Sequence, residues 1–254
     1  MSFPGHTLSV LVLCCAYASA SAGQQSAPAA VPQDPVEKAS APAQGEQEIE
    51  KKEQSQRILG VVPMFAVTSR QDAPPLTPGQ KFHLTAKQIT DPFTFVAAGL
   101  QAGLSQATDE FSGYGQGAAG YGKRYGATFA DQASGQFFSN FFYPTLLKED
   151  PRYFRSGEGS IKHRIGYSLA QEFVCHTDSG GRAFNWSNAL GAFTTGGLSN
   201  AYYPSTDRGF GLTMSRSAIA LAYGSAGGLV QEFWPDIQRK VFHKQPQLMQ
   251  SPAR

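Results

Sequence analysis

Charge is scarce in this chain. Asp, Glu, Lys and Arg make up 16% of its 254 residues, against about 25% in an ordinary globular protein. The net charge is only +2, which excludes the basic footprint of a nucleic-acid binder. Cysteine is nearly absent too: there are three, Cys14, Cys15 and Cys175. Removal of an N-terminal leader would leave Cys175 alone, so no disulfide within the chain is expected. No continuous apolar run of about 20 residues occurs, which argues against an ordinary membrane-spanning helix. Alternating strand patterns of useful length are missing as well. Low charge without long apolar runs implies either extensive burial or a membrane-facing surface.

The N-terminus reads as a secretory signal over 1–22. Leu8, Val10, Leu11, Val12 and Leu13 form the apolar core, and Ala18-Ser19-Ala20 and Ala20-Ser21-Ala22 are both A-x-A cleavage sites. A retained membrane anchor is the alternative. Residues 23–56 are rich in Ala, Pro, Gln, Glu and Lys and hold almost no large apolar side chain. Such a segment cannot offset the entropy of folding, so a disordered linker is expected. A helical domain is predicted over 57–243, followed by a flexible tail at 244–254.

Small residues dominate that domain. Gly115, Ala119, Gly122, Gly126, Ala130 and Ala133 fall at the three- and four-residue intervals of one helical face. Gly99 and Gly103 form a G-x-x-x-G, and Ser217, Leu221, Gly224 and Gly228 make a second stripe. Each helix glycine costs roughly 1 kcal/mol against alanine, and close helix packing is the usual compensation. The expectation is an all-α helical bundle with Gly/Ala/Ser packing. Its central helix, about 116–142, should touch those near 92–108 and 212–232. Gly99, Gly103, Gly115, Gly122, Gly126, Gly224 and Gly228 are the packing positions this reading selects. Thr77-Pro78 and Asp91-Pro92 are helix starts. Ile161, Ile165, Leu169 and Phe173 mark an ordinary amphipathic helix, and Pro235 should separate a short terminal helix from the last long one. Ala183 to Thr206 carries no charge, with Trp186 and Tyr202/Tyr203 at its ends where interface aromatics would sit.

Chemistry is harder to find. Gly115-Gln116-Gly117-Ala118-Ala119-Gly120 is formally a G-x-G-x-x-G, but no strand precedes it, so the dinucleotide reading fails. His83, His163, His176 and His243 are scattered, without metal-ligand spacing, and no cofactor is expected. The carboxylates Asp109, Glu110, Asp131, Glu149, Asp150, Glu172 and Glu232 are the best catalytic raw material, since two facing across a cleft can do acid/base work. Asp131 stands out as the only acid on the small-residue helix. Its expected role is structural, with Arg155, Arg164 or Arg216 as partner. With Arg152, Arg155, Asp207 and Arg208 from two polar loops, it forms the candidate polar site.

The segments GYGQGAAGYGKRYGATFADQASGQFF, LLKEDPRYFRSGEGS, LSNAYYPSTDRG and EFWPDIQRKVFH resemble a family of uncharacterised exported proteins from acidobacterial genomes, over about 57–243. A fainter similarity is to small YfiM-type envelope lipoproteins, where a small-residue helix precedes a Glu-aromatic-Trp turn, as Glu232-Phe233-Trp234 does here. The resemblance implies export to the periplasm or outer membrane and no particular activity. The reading is a non-enzymatic envelope protein that binds or packs at a membrane surface or on an envelope protein partner, with self-association open. A carboxylate-dependent hydrolase of an envelope polymer and a membrane-embedded bundle are the alternatives.

Overall fold

The computed structural model describes residues 51–241, all of which belong to the compact unit 42–254. The expected signal peptide, most of the linker and the tail lie outside the described residues. The linker ends earlier than its composition suggests. Gln56 is buried and its carbonyl accepts from Met64 N–H, while the Gln54 carbonyl accepts from Lys87 Nζ.

From residue 57 onward the described residues form seven α-helices and six strands of two or three residues, joined by turns and loops. The bundle is helical, as expected. An extended segment opens it: β1 (Arg57–Ile58) pairs antiparallel with β2 (Val62–Pro63), and β3 (Val67–Thr68) pairs parallel with β4 (Tyr153–Phe154). Met64, Phe65 and Val67 are buried there, and Phe65 packs with Leu76 and Leu84 in a small apolar core. Helix α1 (Pro78–Ile89) starts on a full capping box, Thr77 with Gln80, a device worth about 1 kcal/mol. Helix α2 (Pro92–Ala107) starts on Asp91, which caps Phe93 N–H and also binds Arg57.

Helix α3 (Gly117–Phe137) runs through a π-turn (Phe138–Phe142) into α4 (Tyr143–Leu147). Helix α5 (Ile161–Ala170) is capped by Ser160. A hairpin, β5 (Val174–His176) with β6 (Arg182–Phe184), leads to α6 (Trp186–Ser199), capped by Asn185. Helix α7 (Phe210–Val241) is 32 residues long and passes through Pro235 without breaking. Pro235 removes one helical hydrogen bond, and it is buried against the rest of the bundle; the predicted separate terminal helix is therefore continuous with α7.

Helix α3 packs along α2, as predicted, and against α6. Helix α7 instead packs chiefly on α6 and α5. The predicted glycine face of α3 is a second correction. Gly122 and Gly126 are exposed, and a side chain at either would meet open space. The buried face is Gly120, Arg124, Ala127 and Thr128. Close approach occurs elsewhere: a Cβ at Gly191 would lie 2.9 Å from the Ser139 backbone, and one at Gly196 would lie 3.0 Å from the Thr213 carbonyl. Gly99 and Gly103 meet only the Tyr121 and Tyr125 side chains of α3.

The bundle is turned inside out relative to the amphipathic expectation. On α5 the spaced row Ile161, Ile165 and Leu169 faces outward, and Arg164 and Ser168 are buried. On α2, Leu100 and Leu104 are 72% and 67% exposed, while Ala98, Ala102 and Ser105 are buried. On α6, Trp186, Leu190, Phe193 and Leu198 are exposed above a buried row of Ser187, Gly191, Ala192, Gly196 and Ser199. Neither α2 nor α6 carries a charged residue. On these three helices small and polar side chains therefore face inward and large apolar ones outward.

Candidate functional site

A cavity of about 1120 Å³, open to the surface, is lined by residues of α2, α3, α5, α6 and α7 and by the 149–153 segment that leads into β4, with Leu100, Leu104, Ile219 and Tyr223 beside the polar side chains. It exceeds the 300–1,000 Å³ usual for small-molecule sites. Asp131 of α3 stands on its wall. Its carboxylate accepts hydrogen bonds from the hydroxyls of Tyr202 and Tyr203, the latter at 2.7 Å. Burial holds the Asp131 carboxyl above the ordinary range, opposed by the two hydroxyls and by Arg216 acting through space. The structural partner expected among arginines is a tyrosine pair instead. Burial and the adjoining carboxylate push both phenols upward.

The LSNAYYPSTDRG segment holds those tyrosines. Arg208 Nε donates to the Tyr203 carbonyl at 2.6 Å, and Arg216 Nη2 donates to the Asp207 carbonyl at 2.6 Å. The Arg216 guanidinium lies 4.0 Å from the Tyr203 ring centroid, a cation–π contact. Tyr202 and Tyr203, expected at a membrane interface, thus point inward as ligands of Asp131.

Glu172 is the second carboxyl of the cavity. It accepts from Asn188 Nδ2 at 2.5 Å, and burial raises its pKa. Its carboxylate lies against Gly224 of α7, where any side chain would collide with it. Gly224 therefore makes room for a carboxyl group rather than for another helix. Gly228 does the same for Ser168, whose Oγ would stand 3.1 Å from an added Cβ. Glu149 is the third: buried, it accepts from the Ser187 N–H at the start of α6. Negative charge suits a helix N-terminus.

These three acids are held by neutral donors. Among the described residues the other well-buried acids contact cations. Asp91 binds Arg57, Asp150 binds Arg152, and Glu232 binds Arg164 at 2.7 Å. Glu232 is fully buried and also accepts from Tyr153, Ser156 N–H and Gly157 N–H, while its carbonyl accepts from Arg155 and Arg164. Asp236 completes this lock with Arg155 and Arg164. The DPRYFRSGEG loop is thereby tied to α5 and α7.

The five residues of the predicted polar site divide accordingly. Asp131 and Arg152 line the cavity. Arg155 belongs to the Glu232 lock, and Asp207 and Arg208 brace the tyrosines from behind. Arg124, 1% exposed, is a structural residue that sequence reasoning missed. It donates to the carbonyls of Glu110 at 2.9 Å, Phe111 at 3.2 Å and Gly115 at 2.6 Å. The turn it closes needs φ of +75° at Gly115 and +76° at Gly117, a conformation that glycine adopts without strain. Those two glycines serve a turn, and a side chain at either would meet no neighbouring helix.

Cys175 is buried, and desolvation with nearby Glu149 pushes its thiol up to about 12, which suits an inert side chain. His176 stacks on Phe154 at 3.8 Å. Among the described residues no group of three or more His, Cys, Asp and Glu side chains is placed to hold a metal ion. No helix among them is long and apolar enough to cross a membrane. No protein-family model matches the chain, and no match is found among curated proteins or solved structures.

Proposed function

We propose that the protein is an exported, non-enzymatic component of a bacterial envelope that lies against membrane lipid through the outer faces of α2 and α6. One observation carries this reading: the exposed rows of both helices are large, apolar and wholly without charge. A helix facing water ordinarily carries its charges on that side. Removing one such side chain from water is worth roughly 1.5–3 kcal/mol, so several together make a strong drive toward an apolar phase. Trp186 and Phe184, in contact at one end of α6, suit the lipid–water boundary. The signal-like N-terminus and the resemblance to exported proteins support the location.

Flotation of the full chain with phosphatidylethanolamine/phosphatidylglycerol vesicles tests the reading. The chain should rise with the vesicles. Leu100→Glu with Leu104→Glu, or Phe193→Glu, should leave it at the bottom of the gradient with its melting curve intact. A chain that stays below and sediments as a dimer, dissociated by the same substitutions, would show that a second copy covers these faces instead.

A further inference from the structure

We propose that the cavity inside the bundle binds a neutral polyhydroxylated ligand, a short glycan. Its volume, about 1120 Å³, leaves room for more than one sugar ring. Asp131 and Glu172 present carboxyl oxygens held only by neutral donors, so each can accept from a further hydroxyl. Arg152 and Arg216 line the same space as donors, and Gln132, Asn188 and Gln231 supply amides that both donate and accept. A ligand that meets all of these must offer donors and acceptors together without a charge of its own, which is the chemistry of a sugar.

An apolar ligand would leave the hydroxyls of Ser187 and Thr195, buried on this lining without a hydrogen-bond partner, still unsatisfied. An anion would face Asp131, Glu149 and Glu172, and a polyamine would face Arg124, Arg152 and Arg216. The exposed ring of Tyr223, on the lining, offers an apolar face for the C–H side of a sugar ring. Leu100 and Leu104 border both this cavity and the outer face of α2, so the two readings are separated by Phe193→Glu, which lies outside the cavity lining.

Saturation-transfer NMR on the full chain tests the proposal, with an N-acetylglucosamine tetramer and cellotetraose as probes and spermidine and inorganic phosphate as charged controls. Transfer to at least one glycan is expected. Glu172→Gln and Asp131→Asn should weaken it about tenfold, the effect of one lost hydrogen bond to a charged group. Gln231→Trp, which crowds the cavity without altering either carboxyl's partners, should abolish it. Melting curves establish that each variant is folded. Absence of transfer to either glycan, transfer to a charged control alone, or transfer unchanged by Gln231→Trp would overturn the site. Release of reducing ends would support the site and overturn the non-enzymatic reading.

Discussion

Asp131 and Glu172 are carboxyls that the fold keeps without a contacting cation, and this fixes the sign of their effect on stability. Burial raises both folded pKa values above the ordinary carboxylate value. The folded chain therefore holds protons that the unfolded chain has already released, and stability falls as pH rises through that window. Glu172→Gln removes its share. The variant should melt with the native chain near pH 4 and above it once the pH passes the raised carboxyl range. A variant that melts below the native chain at the higher pH would show that the fold stabilises the Glu172 carboxylate instead. Asp131→Asn keeps the shape and one acceptor, so its expected cost is about 1–2 kcal/mol of unfolding free energy in urea. That is below the 3–5 kcal/mol of a broken buried ion pair. The larger cost belongs to Arg164→Met, which strands the fully buried Glu232 carboxylate; a loss of about 3–5 kcal/mol is expected there.

At the scale of elements, the glycines separate into those that admit a neighbour and those that do not. Gly191→Ala should cost roughly 1–3 kcal/mol, because the new methyl meets the Ser139 backbone. Gly122→Ala and Gly126→Ala should stabilise by up to about 1 kcal/mol each, since they fill open space on a helix and restrict the unfolded chain. Thermal melts of the three variants check both signs. Helix starts were legible in the sequence because a cap is local: Thr77-Pro78 and Asp91-Pro92 stand where they were read. Helix faces were not. Ile161, Ile165 and Leu169 set a period, and a period says which residues share a face without saying which way it points. The usual assumption sends the aliphatic row inward, and here Arg164 and Ser168 take that place. Asp131 was legible as a lone acid on its helix, but its tyrosine partners come from a loop 71 and 72 residues away. Glu172 stood unmarked among seven carboxylates, and only the seat at Gly224 distinguishes it.

At the scale of the whole molecule, the account rests on an inversion along α2, α5 and α6: small and polar residues inside, large apolar residues outside, beside an ordinary apolar core around Phe65, Leu76 and Leu84. Buried hydrogen-bonded networks around Arg124, Glu232 and Asp131 then hold the fold together with the Phe65, Leu76 and Leu84 core, and the apolar rows of α2 and α6 are left for association. The measurement that tests this most directly reads the polarity around an environment-sensitive fluorophore placed on single cysteines at Leu100, Leu169 and Phe193. The account predicts water-like emission from all three in the free chain and a blue shift at Leu100 and Phe193 when lipid vesicles are added. Blue-shifted emission from all three before any vesicle is present would place these rows in a buried core and contradict it.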